Sequence, residues 1–202
     1  AASAKPIVMD PAMRLVLVEV QEPDMHEPSG DFERLQAALK EQWQIEGVTA
    51  PLSVLQKLQP ALRKGQWQVS VALHQPANTE EFRILDVWPG LHEGGLYGLA
   101  IDLGSTTIAA HLCDLTDGRV LASSGLMNPQ IRFGEDLMSR VSYAMMNPGG
   151  DAEMTRAVQQ AIATLATEIA AEGGIDPSLI FETVIVCNPV MHHLLLGIDP
   201  VE

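Results

Sequence analysis

The residues that point most directly to chemistry are Asp102, Gly104, Ser105, Thr106 and Thr107, which follow a short apolar run. Gly104 permits a tight turn and leaves room for a phosphate to approach the backbone. The three hydroxyl residues offer successive N–H groups and side-chain oxygens to phosphate. Asp102, at the predicted end of a strand, is placed to hold Mg²⁺. The pattern fits a phosphate-binding loop, and it equally fits a hairpin turn that uses Asp, Gly and Ser for conformational reasons.

Two further carboxylates form a second candidate site. Glu135 and Asp136 lie at the start of a predicted helix that carries Arg140 one turn on. A carboxylate at a helix N-terminus is favourable whatever its function, and Arg140 can pair with either acid. The functional alternative is that Glu135 or Asp136 orients an attacking water or a hydrated Mg²⁺. The residues alone leave both interpretations open.

The elements that would position these residues follow from the apolar pattern. Three predicted strands joined by tight turns are followed by two helices, a buried strand and a short helix. Their residues are 97–103, 107–115 and 120–126 for the strands, 135–146 and 151–172 for the helices, 183–187 for the buried strand, and a final helix opened by Pro189. This order is typical of an α/β domain.

A separate α+β module with the order β-α-α-β-β is predicted before these elements. Its parts are a strand at 14–20, a helix capped by Asp31, a second helix starting near Pro51 with Thr49 as a candidate cap, and strands at 67–73 and 81–87. The second helix is predicted to bury Leu52, Leu55 and Leu58. The Gly/Pro-rich segment 89–95 predicts a boundary between domains at 1–94 and 95–202.

Composition excludes several function classes. The formal net charge of −14 argues against a nucleic-acid binder, which needs clustered Lys and Arg. No apolar run approaches the roughly 18–20 residues that span a membrane. Cys113 and Cys187 lie in apolar, strand-like contexts, so we expect reduced, buried thiols in a cytoplasmic protein. Two cysteines cannot by themselves hold an iron–sulfur cluster, which usually takes four thiolates.

Two polar segments are less specific. Asn128, Pro129 and Gln130 end the third strand of the second domain, where their amides would reach a cleft or serve a turn. His192 and His193 follow the predicted buried strand. Adjacent histidines on a helix point about 100° apart and make a poor metal pair. We therefore expect a structural role or a partner contact for them, and the sequence does not decide between the two.

The order of strand, Asp102–Thr107 loop, hairpin, third strand and helices resembles the first half of the actin-like (ribonuclease H-like) ATPase fold of sugar kinases, heat-shock chaperones and actin. Two longer motifs, at 128–143 and 186–200, are more specific. They are similar to motifs of the ATP-dependent reductive activators of corrinoid proteins. The resemblance covers residues 10–202 and identifies the β-α-α-β-β module with that family's middle domain.

The resemblance implies a function. Family members combine an N-terminal [2Fe–2S] domain that supplies an electron, a middle domain, and an actin-like domain that binds ATP. Together these return a Co(II) corrinoid protein to Co(I). The resemblance thus implies ATP and Mg²⁺ as cofactors, with Gly104, Ser105, Thr106 and Thr107 at the phosphates and Asp102 at the metal. It implies a corrinoid protein as partner, and catalytic roles for Glu135 and Asp136.

The chain departs from the full family pattern in two respects. It has no cluster-binding cysteine motif, and it lacks the second half of the ATPase domain, so we expect a fragment that is inactive by itself. The [2Fe–2S] cluster is expected in the parent protein and not in this chain. Half an actin-like domain leaves an apolar face exposed, so a homodimer is a further expectation. The alternatives are a non-catalytic module for corrinoid-protein docking or dimerisation, and a generic actin-like small-molecule kinase.

Overall fold

The computed structural model describes residues 11–26 and 28–201. The chain divides into two compact units: the first unit contains the residues up to Leu96 together with Leu115–Asp117, and the second contains Tyr97–Asp114 and the residues from Gly118 onward. Each unit has its own four-stranded mixed sheet and its own apolar core. Among the described residues, no helix combines the length and apolar character that a bilayer crossing requires.

The first unit is an α+β fold with one more strand than predicted. Its elements are β1 (Met13–Glu19), α1 (Asp31–Trp43), β2 (Val48–Thr49), α2 (Leu52–Lys64), β3 (Gln68–His74) and β4 (Phe82–Pro89). The sheet order is β1-β3-β4-β2, in which β3 is antiparallel to both neighbours and β2 is parallel to β4. The extra strand, β2, has two residues, which is too short for an alternating pattern to reveal it.

Both predicted helix caps in the first unit are wrong. Gly30 is the N-cap of α1, and its N–H donates to the Glu33 carboxylate at 2.9 Å. Asp31 instead accepts hydrogen bonds from two arginines, which leaves it unavailable as the cap. Pro51 is the N-cap of α2, whereas Thr49 belongs to β2.

The buried face of α2 is also rotated from the predicted one. The side chains of Val54, Leu58 and Leu62 are buried, whereas Leu52 is 69% and Leu55 39% exposed. Leu58 is therefore predicted correctly, and the other two positions are wrong. The spacing of the observed set, four residues apart, is the spacing of one face of an α-helix, whereas the predicted set with spacings of three drifts across the surface.

The second unit begins with a β-meander that matches the predicted strands. Its elements are β5 (Tyr97–Leu103), β6 (Thr107–Asp114), β7 (Val120–Met127), a 3-10 helix (Pro129–Phe133), α3 (Leu137–Met146), α4 (Gly150–Gly173), a short 3-10 helix (Pro177–Leu179), β8 (Ile180–Cys187) and α5 (Pro189–Leu196). The sheet order is β7-β6-β5-β8, with β8 parallel to β5 and the other pairs antiparallel.

One face of this sheet is buried and the other is open. Alternate residues of β5 and β6 pack against α4 and α5; they include Leu99, Ile101, Leu103, Ile108, Ala110 and Leu112. On β8, Val184 is 55% and Val186 60% exposed. The prediction of a fully buried strand at 183–187 is therefore wrong. β8 ends the sheet in the described part of the chain, and its apolar run does not distinguish a covered face from an open one.

Candidate functional site

The residues predicted to grip phosphate form the connection between β5 and β6. Leu103 pairs with Ile108, so Gly104–Thr107 (hereafter the β5–β6 loop) closes the hairpin. The Gly104 N–H donates to the Thr107 carbonyl at 3.0 Å. A Cβ on Gly104 would lie only 2.8 Å from that same oxygen. Glycine is therefore required here by the close approach of the loop backbone.

Two backbone N–H groups of the loop remain available to a ligand. Neither the Ser105 N–H nor the Thr106 N–H donates to a backbone carbonyl within the described ranges. Thr106 and Thr107 are exposed, and Ser105 is half-buried. The loop therefore combines free backbone donors with exposed hydroxyls, which is the donor set that a phosphate group requires.

Asn128 holds the loop through two hydrogen bonds. Its side chain is buried, and its Nδ2 donates to the Gly104 carbonyl at 2.9 Å. Its Oδ1 accepts from the Gln130 N–H at 2.9 Å, which caps the 3-10 helix, and its own N–H donates to the Thr106 carbonyl at 2.8 Å. Of the two roles proposed for Asn128, a cleft residue or a turn residue, these contacts show the turn. The same contacts connect that turn to the β5–β6 loop.

Arg140 is a second buried side chain that holds the loop. The residue is completely buried, although it is charged. Its Nη2 donates to the Ser105 carbonyl, its Nε donates to the Gly134 carbonyl at 3.0 Å, and its Nη1 lies 3.2 Å from Met191 Sδ. It forms no salt bridge with any residue that the structure describes. The expected pairing with Glu135 or Asp136 is therefore wrong.

The approach to α3 depends on a second glycine. A Cβ on Gly134 would lie 2.7 Å from Ser139 Cβ and 2.8 Å from the Arg140 nitrogen. The missing side chain lets the segment before α3 pass close to its first turn, and the Gly134 carbonyl then reaches the guanidinium of Arg140. This close contact sets where Glu135 and Asp136 lie relative to the helix.

The structure gives the two predicted catalytic acids different environments. Asp136 is the N-cap of α3, and its Oδ1 accepts from the Ser139 N–H at 2.7 Å and from the Ser139 hydroxyl at 2.8 Å. These hydrogen bonds lower the pKa of Asp136. Glu135 is exposed. The capping interpretation of Asp136 is thus confirmed, while a catalytic role for either acid stays a prediction.

Asp102 lies exposed on β5, one residue before the end of the strand. No group of three or more His, Cys, Asp or Glu residues arranged around a metal occurs in the described ranges. Mg²⁺ does not require such a group, because it commonly keeps several waters and binds one or two carboxylates together with substrate phosphates. Asp102 beside a loop of hydroxyls fits that pattern as a single protein ligand.

The carboxyl ends of two parallel strands meet at this site. Leu103 of β5 pairs with Cys187 of β8, so the β5–β6 loop and Asn188 leave the sheet at the same edge. Asn188 caps α5, and its Oδ1 accepts from the Met191 N–H at 3.0 Å. Open α/β sheets bind ligands at this edge. Burial, followed by the charge of Asp102, raises the pKa of the Cys187 thiol and keeps it protonated.

The histidine pair is placed on α5. His193 Nδ1 lies 2.7 Å from the Pro189 carbonyl, which is a bond within the helix's own first turn. His192 is exposed. The expected structural role is consistent with the contact of His193, and the contribution of His192 to a partner surface stays a prediction.

Sequence reasoning named Arg140 and Asn128 but missed what they do. Arg140 lies three residues after Leu137 and four before Ala144, so it occupies the same helix face as the apolar residues of α3. That position was a signal that its side chain points inward. Its bond to Ser105, 35 residues earlier in the chain, has no local sequence signature.

The fold and site define a two-unit α/β and α+β chain with a hairpin loop at the carboxyl edge of the parallel strands of its second sheet. Residues 2–94 match the family model described as the RACo linker region, and residues 97–202 match the RACo middle region. The chain belongs to the RACo family. The sequence resemblance identified residues 1–94 with the middle domain; the family models name that part the linker and residues 97–202 the middle region.

Two relatives have informative names. The corrinoid activation enzyme RamQ of Eubacterium limosum is 34% identical over 119 residues, which cover 58% of this chain and 20% of that protein. A solved structure of a "reductive activator for corrinoid,iron-sulfur protein" matches with a TM-score of 0.84 and 31% identity, over 98% of this chain and 31% of the other. The chain thus spans a fifth and less than a third of these two relatives.

Proposed function

We propose that this chain is part of an ATP-dependent reductive activator that returns a Co(II) corrinoid protein to Co(I). The names of both relatives describe corrinoid activation, which favours this function over a small-molecule kinase. The reaction adds one electron to cobalt. In this proposal the electron comes from a [2Fe–2S] domain that is not in this chain, and ATP drives the transfer. The partner is a corrinoid protein.

The second unit is proposed to be the N-terminal half of an actin-like ATPase domain. The observation that carries this proposal is the β5–β6 loop, which presents the N–H groups of Ser105 and Thr106 at the carboxyl edge of β5. Gly104, Ser105, Thr106 and Thr107 would hold the phosphates of ATP. Asp102 would hold Mg²⁺, which supplies positive charge between the phosphates and this acidic chain.

The two acids would then have different roles. Glu135 would orient the attacking water, because it lies directly after Gly134. Arg140 donates hydrogen bonds both to the Gly134 carbonyl and to the Ser105 carbonyl of the loop, so Glu135 follows a segment that is tied to the loop. Asp136 would act from the start of α3, where the bonds from Ser139 keep it ionised at neutral pH. A carboxylate with a lowered pKa is a weak base, which makes Asp136 a poor candidate for proton abstraction.

A second candidate function is a docking or dimerisation module. The exposed Val184 and Val186 on the open sheet face favour it, because exposed apolar side chains on one face often mark an interface. A homodimer, and a location in the cytoplasm, both stay predictions.

The test of the proposed function is nucleotide binding by the complete gene product. Calorimetry would measure the affinity for ATP with and without Mg²⁺ in the wild type, in Asp102→Asn and in the control Glu172→Gln. Glu172 is an exposed acid near the end of α4, so Glu172→Gln removes an equal charge away from the loop. We expect Asp102→Asn to weaken Mg·ATP binding about tenfold and the control to weaken it less than about twofold.

Two results would contradict this proposal. One is a complete gene product that does not bind Mg·ATP at all. The other is an Asp102→Asn variant that binds Mg·ATP as tightly as the wild type and responds to Mg²⁺ in the same way. Binding that is lost equally in Asp102→Asn and Glu172→Gln would show a dependence on total charge rather than on the loop.

A further inference from the structure

The charge of Arg140 is not compensated by any salt bridge within the described ranges. Its three contacts are two backbone carbonyls and a thioether sulfur, all of them neutral. Burial lowers the pKa of Arg140, and the charge of Asp136 acts in the opposite direction. An arginine nevertheless stays protonated in proteins. A buried cation is costly unless an anion accompanies it, so this position favours the arrival of one.

Arg140 is also unusual among the cations of its unit. Residues 97–202 contain four, namely Arg119, Arg132, Arg140 and Arg156. The other three are exposed, and only Arg140 is buried. In a chain with a net charge of −14, this one guanidinium is the positive charge that lies directly against the β5–β6 loop.

The contact between Arg140 and the Ser105 carbonyl also determines the direction of the next N–H group in the loop. The carbonyl and the N–H of one peptide unit point in opposite directions, and no cis peptide occurs in the described ranges. Because the Ser105 carbonyl points at Arg140, the Thr106 N–H points away from it. Because the Gly104 carbonyl points at Asn128 Nδ2, the Ser105 N–H likewise points away from Asn128. Two buried side chains thereby aim two neighbouring N–H groups outward.

We infer that Arg140 is the positioning residue of the β5–β6 loop: it orients the Thr106 N–H toward an incoming polyphosphate and supplies the positive charge behind it. This inference rests on the proposed function for the identity of the ligand. The orienting effect acts on any phosphate. The charge acts most strongly on the ligand with the most negative charge, so it favours ATP over ADP and leaves adenosine unaffected.

The experiment compares three variants of the complete gene product. Arg140→Met removes the charge and the hydrogen bonds while it keeps an unbranched side chain. Arg140→Lys keeps the charge and loses the planar fork. Arg132→Met is the control, since it removes an exposed charge from the neighbouring 3-10 helix. Calorimetry measures the affinities for Mg·ATP, Mg·ADP and adenosine.

We expect Arg140→Met to weaken ATP binding by about thirtyfold or more, ADP binding by less, and adenosine binding by less than about twofold. Arg140→Lys should preserve the ratio of ATP to ADP affinity and recover only part of the ATP affinity. Arg132→Met should stay within about twofold of the wild type for every nucleotide. Equal losses for ATP, ADP and adenosine would indicate a general structural defect and would overturn the inference.

Amide hydrogen exchange separates this inference from the proposed function. The Gly104 and Asn128 N–H groups both donate into the loop, so their exchange reports its shape without any ligand. We expect exchange at both to be about tenfold faster in Arg140→Met. If the wild type binds no nucleotide, the proposed function fails, and hydrogen exchange still tests the positioning role. Unchanged exchange in Arg140→Met would overturn that role whether or not nucleotide binds. Should Arg140→Met not fold, wild-type ATP affinity in Arg140→Lys would overturn that role.

Discussion

Each unit of the chain contains an arginine that is largely or completely buried, and of these two only the arginine in the first unit forms a salt bridge among the described residues. In the first unit, Asp31 accepts hydrogen bonds from both Arg34 and Arg63. The side chain of Arg34 is 10% exposed, and that of Asp31 is 18% exposed. Both guanidinium groups also lie near the Trp67 ring, at 5.9 and 5.0 Å from its centroid. These four residues, hereafter the Asp31 cluster, combine a carboxylate counter-ion for both arginines with an aromatic ring close to them.

In the second unit, Arg140 is more deeply buried than Arg34 and has carbonyl and sulfur partners instead of a carboxylate. Burial lowers its pKa, and the charge of Asp136 raises it without forming a salt bridge. Among the described residues, Arg34 therefore has a carboxylate counter-ion and Arg140 has none. We expect the Asp31 cluster to stabilise the first unit and the charge of Arg140 to act on a ligand at the β5–β6 loop.

Removing the counter-ion of the Asp31 cluster should change the protein more than any other substitution considered below. Asp31→Asn removes the charge that Arg34 and Arg63 share, and Arg34 is too buried for water to replace it fully. We expect the free energy of unfolding of the first unit to fall by about 2 kcal/mol, as measured by chemical denaturation. Glu46→Gln is the control. Its pair with Lys40 is mostly exposed, so we expect a change within about 0.5 kcal/mol.

The pH dependence of the same variant gives the sign of the effect. Burial raises the pKa of Asp31, but the hydrogen bonds from Arg63 and Arg34 and the charges of both arginines together outweigh it, so the net pKa lies below 3.8. The stabilisation is therefore present above pH 3.8 and is lost as the pH falls through the lower, folded-state pKa. Asp31→Asn should flatten this acid limb. A difference from the wild type that persisted undiminished at pH 2 would contradict the assignment.

Much of the second unit was predictable because its strands follow simple local rules. The boundaries of β5, β6 and β7 follow the apolar alternation and the tight turns between the strands, and all three agree with the prediction to within one residue. The residue types of the β5–β6 loop likewise mark a tight turn with donors. These features are set by neighbours in sequence, and a local pattern can therefore reveal them.

The tertiary contacts were not predictable in this way. Asn128 reaches Gly104, and Arg140 reaches Ser105, across 24 and 35 residues. Charged residues are rarely fully buried, so a sequence-based prediction ordinarily places an arginine of a helix at the surface. The burial of Arg140 is contrary to that expectation. The same limit applies to β8, since an apolar run does not show which of its faces another element covers. The open face of Val184 and Val186 is a property of the sheet order.

An intermediate effect is expected from supplying Arg140 with the carboxylate that it lacks. Met191 is completely buried, and its sulfur lies 3.2 Å from Arg140 Nη1. Met191→Glu places an acid at that contact, and Met191→Gln places a neutral group of the same shape there. We expect Met191→Glu to weaken Mg·ATP binding by the complete gene product about tenfold relative to Met191→Gln, because the new ion pair cancels the charge behind the loop.

The Glu and Gln variants of Met191 differ only in charge, so each controls for the packing change in the other. Thermal unfolding would confirm that both are folded before their affinities are compared. Equal affinities for ATP in the two folded variants would show that the charge of Arg140 does not reach the ligand. The contrast between the two arginines would then concern folding alone.

The smallest effect is expected at Asp136, the acid that influences Arg140 from a distance. Asp136→Asn removes the charge and keeps a good N-cap, whereas Asp136→Ala removes both. We expect Asp136→Asn to retain the wild-type unfolding midpoint and to bind Mg·ATP within about twofold of wild type, with any change toward tighter binding, since Arg140 is then opposed by less negative charge. Asp136→Ala should lower the midpoint, because the Ser139 N–H loses its acceptor.

ATP hydrolysis by these variants tests whether Asp136 acts only as a helix cap or also takes part in catalysis. If Asp136 acts through α3 alone, Asp136→Asn hydrolyses ATP at the wild-type rate, and Glu135→Gln is the variant that slows turnover at unchanged ATP affinity. If turnover falls in Asp136→Asn while the unfolding midpoint and the ATP affinity hold, the carboxylate itself takes part in the reaction. The carboxylate charge of Asp136 would then contribute to hydrolysis as well as to binding. The two units would in that case differ in catalytic chemistry as well as in how their arginines are paired.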